Sequence, residues 1–284
     1  MYRIAYLVFV QIFLLALVSC NQNSLHHVTK DNGARLILSK GDLSFGIHHK
    51  QHSKVFGKYV SGYNSAILQG IDNVQATADS GGGYFIGIKA VPTESPLSYP
   101  VQFLGKGLLE PPRTTSYCSG SSFGAFMEGM NILFQNSPAN LDAEHYEALR
   151  MQEPDGGRRE DHIKFWGKWN ADGYGNHFAL AQYTKIGKHI QPIQARPGDF
   201  MNISWTNGGG HSVVFLGWYL EENDIKHVAF WSSQRSTNGF GDLVVPIERI
   251  KEIMVIRLVN PENIFSFNIY NEVSKEVKGD KIKW

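Results

Sequence analysis

Cysteine is nearly absent: the 284 residues contain two, Cys20 and Cys118. Cys20 closes an N-terminal leader, so a single thiol remains for the folded part, which excludes an internal disulfide and leaves the core to hold the fold. Charge of one sign is lacking too. Lys and Arg number 27 against 26 Asp and Glu, a net charge of +1. This balance gives no basic face for nucleic acid and no electrostatic attraction to a membrane surface. There is no internal repeat and no long low-complexity linker. The run Gly81-Gly82-Gly83 is not followed by Gly-Lys-Ser/Thr, so it is not a phosphate-binding P-loop.

What is present fits a folded protein. Hydrophobic residues make up 42% and charged residues 19%, a globular balance. The roughly 260 residues after the leader are enough for one large or two small domains with a substantial core. Residues 4–19 are apolar, follow Arg3, and are too short and too near the terminus for a comfortable membrane span. They end on Leu17-Val18-Ser19-Cys20, which resembles a bacterial lipobox, with polar Asn21 to Ser24 as a tether. The resemblance implies cleavage before Cys20, lipidation of that cysteine and a place in the cell envelope on a bacterial membrane. An ordinary secretory signal with an incidental cysteine is the alternative.

Patterning divides the remainder. Residues 21–35 read as tether, and 35–75 as a weakly patterned extension carrying His48, His49 and His52. No cysteine or acidic partner lies at ligand spacing beside those histidines, so they read as a solvated face and not as a zinc site. A tight glycine turn introduces a strand from Tyr84 to Val91. Helical patterns follow at 118–136, 141–151, 160–169 and 177–186, the last closed by Gly187. From Asp199 the character changes to strands at 199–205, 211–220, 227–233, 243–245 and 253–258, joined by glycine-rich or polar turns. Helices first and an antiparallel meander after them make the chain α+β.

Cys118 sits in Thr114-Thr115-Ser116-Tyr117-Cys118-Ser119-Gly120-Ser121-Ser122, immediately before apolar positions at helical spacing: Phe123, Phe126, Met127, Met130 and Leu133. A thiol at a helix N-terminus meets unpaired N–H groups and the positive end of the dipole, which favour a thiolate and hence a nucleophile. A small residue packed at a helix start is the bland alternative.

Two later segments extend that reading. Arg196-Pro197-Gly198-Asp199-Phe200, a strand, a glycine turn and then Gly210-His211-Ser212-Val213-Val214-Phe215-Leu216-Gly217 resemble the second half of NlpC-type and CHAP-type cell-wall cysteine hydrolases. Cys118-Ser119-Gly120 supplies the family's nucleophile element; Tyr117 stands where members usually carry Asp. The resemblance implies a papain-like fold over residues 76–260, flanked by a signal peptide (1–19), a lipidated tether and extension (20–75) and a C-terminal tail (261–284). It implies Cys118 as nucleophile and His211 as base, acting without a cofactor on an amide bond of a peptidoglycan stem peptide or another peptide. A non-catalytic module binding wall peptide or glycan, and an acyl transferase, are the competing readings.

The residue that orients His211 is argued from register. A turn centred on Glu222-Asn223 makes paired residue numbers sum to 445, which sets Gln234 opposite His211 with Cβ atoms ~5 Å apart. Shifting the turn by one residue substitutes Ser236 or Ser232, and Asn238 is a further candidate. Backbone N–H groups at Cys118 serve an oxyanion, with Tyr99 or Tyr117 as side-chain donors. Trp205, Trp218 and Trp231 are candidates for a groove wall.

Overall fold

The computed structural model describes residues 34–86, 97–111, 113–138, 140–151, 165–166, 178–271 and 278–284. The expected leader, Cys20 and most of the stretch expected as a helix at 160–169 lie outside these. No helix among the described residues is long and apolar enough to cross a membrane.

The chain is α+β. Its helices are α1 (His52–Phe56), α2 (Asn64–Ala76), α3 (Cys118–Phe134) and α4 (Ala143–Ala148). Strands β1 (Ile37–Leu38), β2 (Val101–Phe103) and β3 (Lys106–Leu109) are short. The meander consists of β4 (Gly187–Ile190), β5 (Phe200–Trp205), β6 (Gly210–Leu220), β7 (Lys226–Gln234), β8 (Gly239–Pro246) and β9 (Ile250–Leu258). The main sheet runs β4-β9-β5-β6-β7-β8 with every neighbour antiparallel, while β1 joins β6 in parallel. Gly187 therefore opens a strand instead of capping a helix, and the segment before it, Phe178–Tyr183, is a π-helical turn.

Strand β6 is buried along most of its length because both faces of the sheet are covered. Val214 and Leu216 face α2 and α3, and Val213 and Phe215 face a second cluster with Met201, Ile203 and Phe230. A strand covered on both sides reads as a continuous apolar run, which is what Val213 to Leu216 is. Helix α3 is buried nearly all round from Cys118 to Met130, its apolar residues joined at the start by small serines and glycines.

The flanking segments differ from their sequence reading. Residues 34–76 are not a separate extension: Ile67, Leu68, Ile71 and Val74 of α2 belong to the same core as α3. Nor are residues 261–284 simply a tail, since Ile264 and Phe267 are buried and Asp280 exchanges backbone hydrogen bonds with Ile253. His52, expected on a solvated face, is fully buried.

The Pro-Gly-Asp turn explains much of the packing. Gly198 has φ +88, and a Cβ there would lie 2.8 Å from the Asn64 backbone oxygen, so only glycine fits. Asp199 is completely buried. Its carboxylate accepts from Arg257 Nε (2.8 Å) and Nη2 (2.7 Å), from Asn64 Nδ2 (2.7 Å) and from the Arg196 N–H (2.8 Å). Removing one partner of such a buried pair strands a charge and costs about 3–5 kcal/mol. Asp199→Ala should therefore lower the thermal midpoint by roughly 10 °C, measured by circular dichroism. An unchanged midpoint would show that Arg257 is not held by this contact.

Candidate functional site

The N-terminus of α3 is docked on the sheet by serines. Ser122 Oγ lies 2.8 Å from Ser212 Oγ, Ser121 Oγ 3.2 Å from Ser232 Oγ, and Ser116 Oγ 2.8 Å from Ser233 Oγ. Ser121 Oγ also donates to the Cys118 carbonyl (2.7 Å), and Trp166 Nε1 donates to Ser122 Oγ (3.0 Å). Small hydroxyls let helix and strands approach while the Ser116, Ser121 and Ser122 oxygens pair across the seam with Ser233, Ser232 and Ser212. Cys118 is thereby held against β6, where the Ser212 N–H faces its sulfur together with the N–H groups of Ser119 and Cys118 itself.

His211 is the residue before Ser212. Its Nε2 lies 3.2 Å from Gln234 Oε1. The Gln234 amide nitrogen is committed elsewhere, donating to Thr237 Oγ1 (2.7 Å) and the Gly241 carbonyl (3.1 Å). The oxygen can only accept, so His211 carries its proton on Nε2 and keeps the Nδ1 lone pair. The pairing behind this contact is instructive. Numbers sum to 445 at Val214↔Trp231 and Phe215↔Phe230, but to 446 from Gly217↔Ala229 out to Leu220↔Lys226. A β-bulge between Phe215 and Gly217 restores the register that faces Gln234 to His211. The alternatives point elsewhere: Ser232 donates to the Ser212 carbonyl, and Asn238 reaches Ser80.

A cavity of about 550 Å³ opens beside the imidazole, lined by Tyr84, Trp205, His211, Gln234, Arg235 and Arg249 among others. Cys118 is not among its lining residues, and among the described residues no hydrogen bond joins the sulfur to the imidazole. Trp205 is the one expected tryptophan on the wall; Trp218 and Trp231 are fully buried in the core. Tyr99, considered as an oxyanion donor, packs instead against Gly124, two turns into α3.

Tyr84, like Arg235 and Arg249, is a cavity residue that sequence reasoning missed. It lines the cavity, and its phenol is coupled electrostatically to Cys118. Burial raises its pKa to about 12, so it remains a donor at neutral pH. The preceding glycines put it there. Gly81, Gly82 and Gly83 have φ of +84, +79 and +91, and their backbone bonds to the start of β8 through Phe240 N–H to Gly81 O and Gly83 N–H to Asn238 O. The triplet accommodates the chain's own backbone.

The electrostatics reverse one expectation. Burial pushes the Cys118 thiol up to about 11, outweighing the three N–H groups that lower it. Burial also pulls His211 down to about 4, the Gln234 hydrogen bond raising it by less. At neutral pH the pair is thiol and neutral imidazole, not thiolate and imidazolium. Comparison of the chain with protein-family models, curated proteins and solved structures finds no match.

Between pH about 4 and about 11 both groups stay neutral, so the thiolate fraction should climb about tenfold per pH unit through the neutral range. Alkylation of Cys118 by iodoacetamide should follow that slope and be slower in the native than in the unfolded chain at pH 8. A rate plateau between pH 5 and 8 would instead reveal a preformed thiolate–imidazolium pair.

Proposed function

We propose that this chain is a secreted cysteine hydrolase with a papain-like fold of the NlpC/CHAP type, lipid-anchored through Cys20. It would cleave amide bonds in peptidoglycan stem peptides or other peptides. The observation that carries the proposal is the arrangement around β6: Cys118 at a helix N-terminus against the Ser212 N–H, and the adjacent His211 with Nε2 tied to Gln234. The order Cys, His, polar amide matches what the resemblance implies.

The chemistry runs from the neutral pair. As Sγ attacks the carbonyl carbon, the thiol proton passes to His211 Nδ1, the nitrogen that Gln234 leaves free. The N–H groups of Cys118 and Ser119 and the Tyr84 hydroxyl are the donors available to the oxyanion. On collapse the C–N bond breaks and the amine takes the proton from Nδ1. Water, deprotonated by the same nitrogen, then cleaves the thioester. Arg235 and Arg249 on the cavity wall favour a substrate bearing a carboxylate.

One observation favours a second reading, a peptide- or glycan-binding module without turnover: the sulfur and imidazole are both neutral and not hydrogen-bonded to each other. Incubation with purified peptidoglycan, followed by mass spectrometry of fragments and of Cys118, separates the two. Cleavage or an acyl adduct supports the hydrolase; binding with neither supports the module.

For a hydrolase, Cys118→Ala should abolish turnover and His211→Ala should cost roughly 10²–10⁴-fold. The double variant should be no worse than Cys118→Ala, since the two act in one step. Gln234→Ala should cost less than His211→Ala because it orients without transferring a proton. Near-normal activity of His211→Ala on a cleaved substrate would assign the base to another residue.

A further inference from the structure

Away from this site, α1, the loop before it, α2 and β8 bring four ionisable side chains together. His49 Nε2 lies 3.0 Å from Asp242 Oδ2, and His52 Nε2 lies 2.9 Å from Asp242 Oδ1. His52 Nδ1 lies 2.8 Å from Asp72 Oδ1, whose carboxylate also accepts from the Ser53 N–H (3.0 Å) and hydroxyl (2.6 Å). The two histidine side chains are 5% and 0% exposed and that of Asp242 16%. The acidic partners lie 20 and 190 residues from His52 in sequence, which is why local ligand spacing did not reveal them.

We propose that His49, His52 and Asp242 form a binding site for a divalent transition-metal ion, zinc being the best fit to the donor set. Their ligand atoms all lie within 4.8 Å of one another. Tetrahedral zinc with bonds of about 2.0–2.1 Å places its donors roughly 3.4 Å apart, so the two His–Asp242 contacts, at 3.0 and 2.9 Å, open by roughly half an ångström when the ion enters. Two imidazoles and one carboxylate suit zinc, cobalt or nickel and are too nitrogen-rich for calcium or magnesium. The outer contacts are those of a metal centre. Asp72 accepts the Nδ1–H of His52, which fixes the ring with Nε2 toward Asp242, the arrangement that orients and strengthens a histidine ligand.

Occupancy balances as a proton exchange. The ion takes the Nε2 lone pair of His52 and releases the proton shared there with Asp242. The His49 proton moves to Nδ1, and the exposed Gln51 N–H, which now donates to that nitrogen (3.1 Å), turns to water. The rings, stacked with centroids 4.1 Å apart, splay slightly around the ion. Asp242 N–H donates to Ile47 O (2.8 Å) and His48 Nδ1 lies 2.9 Å from Phe240 O, so the ion would pin the loop before α1 to β8. The role is structural and independent of the hydrolase reading.

The test uses the full mature chain, stripped with chelator and titrated with Zn²⁺ by calorimetry and with Co²⁺ by visible absorption. One equivalent should bind, with tetrahedral cobalt bands and no sulfur-to-cobalt charge transfer, which excludes Cys118 as a ligand. His49→Gln and Asp242→Asn should each weaken binding at least about tenfold, and Asp72→Asn about tenfold through its outer contact. Zinc should raise the thermal midpoint of the parent by several degrees and of His49→Gln by less. No stoichiometric binding, sulfur charge transfer, or binding unchanged in His49→Gln and Asp242→Asn would each overturn the proposal.

Discussion

The buried Asp199 carboxylate is the contact on which the geometry of the candidate site depends. It joins three stretches distant in sequence: the start of α2 through Asn64, the turn through the Arg196 N–H, and β9 through Arg257. The same turn bonds directly to β6, with Gly198 N–H donating to Phe215 O (2.9 Å) and Phe215 N–H to Asp199 O (2.8 Å). From there the β5–β6 ladder runs without interruption to Ile203↔His211. A carboxylate with a guanidinium and neutral donors around it is a specific arrangement that no shifted register reproduces. The turn therefore sets where His211 stands, although it lies far from the imidazole along the strand.

That dependence explains which features could be read in the sequence. The meander, the Cys118 helix and the Pro-Gly-Asp turn were legible because each rests on local periodicity or on a residue with restricted backbone angles. The facing of His211 and Gln234 was legible for a subtler reason. The simple count from the Glu222-Asn223 turn gives the right partner, yet the pairs beside the turn sum to 446 and not 445, and the bulge near Leu216 cancels that difference. Without that bulge Arg235 would stand opposite His211, so the agreement depends on a bulge that the strand pattern did not announce. Gly217 follows the bulge, and a Cβ there would collide with the Leu38 side chain of the neighbouring parallel strand.

The features not legible are those set by long-range packing. Nothing local in Tyr84-Phe85 distinguishes a cavity residue from an ordinary strand residue; the contact of three glycines with β8 does. Residues 37–76 lack a clear pattern because their partners, α3 and β6, come later in the chain. His52 looked solvated because Asp242 is 190 residues away. At the Cys118 thiol two physical effects oppose each other. A helix terminus contributes at most about 2 kcal/mol in a favourable geometry, whereas complete burial shifts an ionisable group by up to several pKa units at 1.36 kcal/mol each. Sequence reveals the helix terminus, and only the packed structure reveals the burial.

The two polar assemblies are joined through one strand. Asp242 on β8 holds His52 and His49, and the preceding residue, Gly241, offers its carbonyl to the Gln234 amide that orients His211. Ile47 O binds the Asp242 N–H on the outer side of the same strand. A displacement of the loop before α1 therefore bears on β8 one residue from the acceptor that fixes the Gln234 amide. Because Thr237 Oγ1 holds the same amide independently, a small movement of Gly241 alone would weaken the orientation of His211 without releasing it. The loop before α1 is thus bonded to the strand whose Gly241 carbonyl holds the Gln234 amide.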